Sequence, residues 1–137
     1  MWWMYALFSA FFAALTAIFA KVGIKGVDTD LATAIRTVII LILAWSIAFF
    51  RGGVATGHTL SKTNLLFLVL SGIATGLSWI FYFKALQRGT VSQVAPVDKA
   101  SVAFAIILAV VFLGEPLSFK TAVGALLIIG GTLVLIF

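Results

Sequence analysis

Three ionisable side chains stand inside otherwise apolar stretches: Arg36 within residues 31–50, and Asp98 and Lys99 within residues 93–113. An ionisable group in a membrane span costs about 2.5–3.5 kcal/mol on insertion scales, so such groups pair with one another or line a cavity or substrate path. Asp98 is the one carboxylate placed to carry a proton inside a span. Its pKa must respond to whether a cation stands beside it. Arg36 and Lys99 are cations of different kinds, able to hold an anionic group, while a cationic substrate could compete with them for Asp98. The residue types leave both chemistries open. Arg36 and Asp98 are each the sixth residue of their stretch, roughly 8–9 Å inside the helix start at 1.5 Å per residue. Both helices enter from the same side, so an Arg36–Asp98 pair is geometrically available, as a structural pair or as part of a substrate path. Lys99 points about 100° away around the helix and could face another surface.

Aromatic residues cluster at Trp79, Phe81, Tyr82 and Phe83. Trp79 and Tyr82, three apart, share a helix face. With Thr75 and Ser78 they form the candidate wall of an amphipathic cavity, where a ring face could hold a cation. An interfacial belt is the competing reading. Ser101 completes a candidate substrate- or ion-binding set of Arg36, Asp98, Lys99, Trp79, Tyr82, Ser78 and Ser101. Catalytic constellations are absent. His58, the single histidine, lies in a Gly-rich stretch without a neighbouring carboxylate or thiol, and no metal site is expected there. The chain has no cysteine and no phosphate-binding glycine motif. Neither an enzymatic activity nor a cofactor is expected.

The elements that carry these residues follow from composition. Of 137 residues, 64% are hydrophobic and 9% charged, against roughly 25% charged in a soluble domain; mean hydropathy is +1.26. A soluble fold of about this size buries only about 70% of the surface its unfolded chain exposes, so lipid must cover the rest. Soluble enzymes, DNA-binding domains and disordered chains are excluded. The net charge of +5 does not point to nucleic acid, because the nine Lys and Arg are scattered. The opening Met1-Trp2-Trp3-Met4-Tyr5 lacks the positive start of a signal peptide and reads as an interfacial aromatic anchor.

A spanning helix needs about 20 mainly apolar residues. Five segments qualify, at about 3–21, 31–50, 64–86, 93–113 and 119–136. The fold class is an all-α integral membrane protein of five transmembrane helices in a single domain over 1–137, with its ends on opposite sides. Between the spans, Asp30 and Ser118 suit N-caps and Gly89 suits a helix stop. Pro96 is tolerated at the start of the fourth span. If that span begins near Val91, Pro96 instead becomes a kink that frees a carbonyl, and transporters often place substrates at such breaks.

Loop cations are nearly balanced. Arg51, Lys62 and Lys120 fall on the N-terminal side, and Lys21, Lys25, Lys84 and Arg88 on the other. Orientation normally follows a Lys/Arg bias toward the cytoplasm. Its near absence fits orientation set by one helix or by a partner, and it equally fits dual topology, with copies inserted both ways to build an inverted-repeat homodimer. Small residues four or seven apart let helices approach closely. Gly72 and Gly76 read as packing within the chain; Gly124 and Gly131, with Gly130 beside them, read as a dimer seam.

The second half carries a recognisable series: Phe81-Tyr82-Phe83-Lys84-Ala85-Leu86, Val91-Ser92-Gln93-Val94-Ala95-Pro96, then Phe112-Leu113-Gly114-Glu115-Pro116-Leu117-Ser118 and a Gly-rich last helix through Gly124, Gly130 and Gly131. It resembles the EamA family of the drug/metabolite transporter superfamily over essentially the whole chain. The resemblance implies one half of an inverted-repeat, ten-helix transporter fold, completed by a second copy (an antiparallel homodimer) or by a homologous partner chain. The four-span small multidrug resistance relatives carry a glutamate in their first span. The matching Ala13-Ala14-Leu15-Thr16 has no acid here; if a proton carrier exists, Asp98 is the substitute, and uncoupled exchange and proton antiport stay equally open. The expected function is export or exchange of a small polar or amphipathic metabolite across a bacterial or archaeal inner membrane, by alternating access of a dimer. A subunit of a lipid-linked sugar flippase, and a non-transporting membrane subunit that stabilises a partner, are the alternatives. The expected partners are the lipid bilayer and a small-molecule substrate, with no nucleic acid.

Overall fold

A computed structural model describes the backbone of all 137 residues and every side chain except those of Thr56, His58 and Thr59. The expectation for His58 therefore lies outside the described side chains. Six α-helices account for five spans: α1 Trp2–Gly23, α2 Thr29–Phe50, α3 Lys62–Arg88, α4 Val91–Lys99, α5 Ser101–Leu113 and α6 Phe119–Ile136, with a 3₁₀ segment Gly53–Thr59 between α2 and α3. Five stretches are long and apolar enough to cross a membrane, and α4 with α5 form one of them, Val91–Leu113. Large apolar side chains remain exposed along these helices, among them Phe50, Phe67, Phe104, Leu127 and Val134. That is the pattern of helices solvated by lipid rather than by water.

The helix ends show how local chemistry sets the boundaries. Asp28, not Asp30, caps α2: its Oδ1 accepts from the N–H groups of Asp30 and Leu31, each at 3.0 Å. The helix begins earlier than hydropathy suggested, which moves Asp30 into the first turn, where a carboxylate favours the positive end of the helix dipole. Ser118 caps α6 as expected, its Oγ accepting from Thr121 N–H at 3.1 Å. The Gln93 side chain accepts the Thr90 N–H at 3.3 Å ahead of α4. Gly89 follows the last residue of α3, but the left-handed glycines are Gly26, Gly52 and Gly114, so Gly89 stops the helix without a left-handed turn.

Gly114 does make that turn, with φ +66°, and its N–H and that of Glu115 both return to the Ala109 carbonyl. A Cβ in this conformation costs about 1–2 kcal/mol. Gly114→Ala is therefore expected to lower the thermal midpoint of the detergent-solubilised protein, while Gly23→Ala, with ordinary φ and open space around a new Cβ, leaves it in place. Equal midpoints for the two variants would show that the turn is not strained by a side chain.

The helices form two compact units, residues 20–87 and residues 1–19 with 88–137. In the unit of residues 20–87, the end of α1, the following turn and the start of α2 are tied to the last turns of α3. Gln87 Nε2 donates to the Val27 carbonyl at 2.8 Å, Lys21 donates to the Leu86 carbonyl, and Lys84 pairs with Asp30 at 3.5 Å. Ile24, Phe83 and Leu86 are buried at this junction.

In the unit of residues 1–19 with 88–137, α4 and α5 pack on α6. The fourth span begins at Val91 rather than near Gln93, so Pro96 lies inside α4, and the helix breaks at Ala100. Proline cannot donate to the carbonyl four residues before it. At the break the Ala100 N–H bonds to the Val97 carbonyl at 3.0 Å, which leaves the Pro96 carbonyl without its usual helical donor. The buried Thr132 hydroxyl of α6 stands 3.1 Å from that carbonyl and 2.8 Å from the Ile128 carbonyl of its own helix. One hydroxyl proton thus serves two acceptors, and it is the cross-helix bond that stitches the break to α6.

Candidate functional site

Arg36 is the eighth residue of α2, roughly 10 Å along the helix from Thr29. The Asp30–Lys84 and Gln87 ties set α2 and α3 running antiparallel. Six residues onward from Asp30 and five back from Lys84, the same register brings Arg36 to Trp79. The guanidinium carbon lies 4.5 Å from the Trp79 ring centroid and 5.3 Å from that of Phe83. Phe83 is buried, and Arg36 and Trp79 are half-buried. Tyr82 flanks the group and interacts electrostatically with Arg36, and its ring lies 6.3 Å from that of Phe83.

Each ring contact contributes about 0.5–2 kcal/mol, more when water is excluded. Both rings lie within cation–π reach of the guanidinium. The N–H groups at its edge form a planar fork suited to two-point recognition of carboxylate or phosphate. The acids of this unit are Asp28 and Asp30; Asp28 caps α2 and Asp30 pairs with Lys84. Among the described residues of its unit, no carboxylate pairs with Arg36. A second cation about 5 Å from the guanidinium would be repelled by about 3 kcal/mol at an effective dielectric constant of about 20.

Phe83 was missed as a site residue by the sequence reading, which took Trp79 and Tyr82, three apart, as the wall. The usable signal was the i, i+4 spacing of Trp79 and Phe83, which places two ring faces one turn apart on the same stripe. Ser78 lies exposed on α3, and the Thr75 hydroxyl turns back to the Ser71 carbonyl at 2.8 Å.

Asp98 and Lys99 belong to the other unit, at the end of α4 just before the break. Lys99 Nζ folds back to 3.3 Å from Asp98 Oδ2, with the side chains 57% and 34% exposed. The sequence reading had Lys99 diverging from Asp98 around the helix. The Cβ vectors of neighbouring residues do diverge, but the four-carbon lysine stem is long enough to bring the ammonium back. Ser101 opens α5, exposed, on the far side of Ala100. Of the expected site residues, Arg36, Trp79 and Tyr82 thus belong to one unit, and Asp98, Lys99 and Ser101 to the other, where they flank its helix break.

Residues 1–137 match the EamA-like transporter family. The chain belongs to that family. A curated relative from Sinorhizobium sp., described as an uncharacterized transporter in the cobO 3′ region, is 46% identical over 134 residues, covering 98% of this chain and 95% of the relative. No solved structure matches the chain. An EamA-like chain with five apolar helices of spanning length is an integral membrane protein of a transporter family.

Proposed function

We propose that this EamA-like chain moves a small polar or amphipathic metabolite across a bacterial or archaeal cytoplasmic membrane, by alternating access of a dimer whose two copies are inserted in opposite directions. The observation that carries the reading is Arg36: a guanidinium clamped on Trp79 and Phe83 within a span, with no paired carboxylate among the described residues of its unit. A charge kept there without a carboxylate to neutralise it fits a substrate path better than a helix-packing role. The near balance of loop cations supports opposite insertion. The small residues of α6 give a face on which a second helix could pack closely; a Cβ at Gly124, Gly130 or Gly131 would meet nothing within 4 Å among the described residues, and the same holds at Gly72 and Gly76, which were expected to pack within the chain.

Purified protein in liposomes tests the transport reading. Counterflow measured across a panel of radiolabelled organic acids, amino acids and amines is expected to show saturable, protein-dependent exchange of at least one solute. Flux that appears only when a second chain is reconstituted would overturn the self-contained dimer. Gly131→Leu or Gly124→Leu is expected to weaken dimerisation in detergent at least tenfold, a loss of about 1.4 kcal/mol, as read by sedimentation. An unchanged dimer constant would move the seam away from α6.

A further inference from the structure

The transport reading leaves the sign of the substrate open, and the Arg36 cluster addresses it. Aromatic residues in a polar cavity invite a cationic ligand on a ring face. Here the protein's own guanidinium lies over the faces of Trp79 and Phe83, at 4.5 Å and 5.3 Å from the centroids. A substrate cation at these rings would displace Arg36 or meet its charge directly. Cation–π contact engages the charge of the guanidinium rather than its fork of N–H donors, and no acid among the described residues of the unit pairs with it. The carboxylates of the unit are committed elsewhere, to the α2 cap and to Lys84. Arg36 is half-buried rather than sealed, so its edge is approachable. Lys99, the other cation inside a span, already has Asp98 at 3.3 Å.

We propose that the Arg36 guanidinium, held on Trp79 and Phe83, is the docking point for the anionic group of the substrate, a carboxylate or a phosphate monoester. The proposal rests on the transport reading and narrows its substrate class to small organic anions. Trp79 and Phe83 act as positioning residues: they hold the guanidinium in place and do not themselves bind the anion.

The test is titration calorimetry on the purified, detergent-solubilised protein with four probes of similar size: phenylacetate, phenyl phosphate, the neutral phenylacetamide and the cationic phenethylamine. At least one anion is expected to bind, with the amide and the amine at least tenfold weaker. Arg36→Gln is expected to weaken the anion at least tenfold. Arg36→Lys, which keeps the charge but loses the fork, should lose less, and Trp79→Leu should fall between wild type and Arg36→Gln. Lys120→Gln, which alters a cation at the start of α6, should bind as wild type does and so controls for net charge. Should Arg36→Gln fail to elute as a single species in gel filtration, Arg36→Lys and Trp79→Leu carry the comparison. Binding of the amine as tight as that of the anions, anion binding indifferent to Arg36, or no binding by either anion would overturn the proposal. Its failure is distinguishable from failure of the transport reading. Arg36-dependent anion binding without liposome flux would sink transport and leave the docking point standing. Flux that ignores both substrate charge and Arg36 would do the reverse.

Discussion

Asp98→Asn is expected to leave insertion, expression and dimerisation unchanged and to abolish any accumulation of substrate driven by a pH gradient, a loss of about tenfold for each pH unit imposed when one proton is exchanged. The chain has four acids, Asp28, Asp30, Asp98 and Glu115. Asp28 caps α2, Asp30 pairs with Lys84 in the first turn of α2, and Glu115 follows Gly114 in the loop after α5. Asp98 alone lies within a span other than at its first turn. It sits two residues before Ala100, where the helix breaks, and is partly exposed beside the Lys99 ammonium. Asparagine keeps the volume and the hydrogen-bonding capacity but not the charge, so the fold should tolerate it. Exchange at equal pH on both sides should survive in Asp98→Asn while accumulation against a gradient is lost. Full accumulation with an unchanged pH profile would make Asp98 a structural partner of Lys99 and nothing more.

The second large effect concerns the clamp on Arg36. In a double-mutant cycle built from Arg36→Leu and Trp79→Leu, thermal stability in detergent is expected to show a coupling of about 1–2 kcal/mol, the size of a partly desolvated cation–π contact. Each single change removes the contact. Arg36→Leu also relieves the burial of a charge, so its own cost is expected to be small, while Trp79→Leu leaves the guanidinium over Phe83 alone. The coupling, not either single effect, isolates the contact. Additive losses would mean that Arg36 does not depend on the indole for its position.

The five spans were legible because hydrophobic length is a one-dimensional signal, and the Ser118 cap because capping is local. Asp30 was mistaken for the α2 cap because hydropathy begins at Leu31, whereas the backbone turns at Asp28, whose short side chain reaches two N–H groups. The Pro96 kink was legible as one of two outcomes, and the position of the helix start decided between them. What sequence could not supply was register between helices. The Gln87 and Lys21 bonds to backbone carbonyls and the Asp30–Lys84 pair set α2 against α3. Only that register puts Arg36 over Phe83 as well as Trp79. The Thr132–Pro96 bond is hidden for the same reason, since 36 residues separate its partners.

The proposed transporter is built from two oppositely inserted copies of the chain. Single cysteines at Gly57, in the 3₁₀ segment between α2 and α3, and at Phe137 place labels on opposite sides of a five-span chain, and the sequence has no native cysteine to interfere. Labelling intact cells with a membrane-impermeant thiol reagent is expected to modify a fraction of the protein at each site, as two coexisting orientations require. Complete labelling at one site and none at the other would show a single orientation and would contradict the oppositely inserted homodimer.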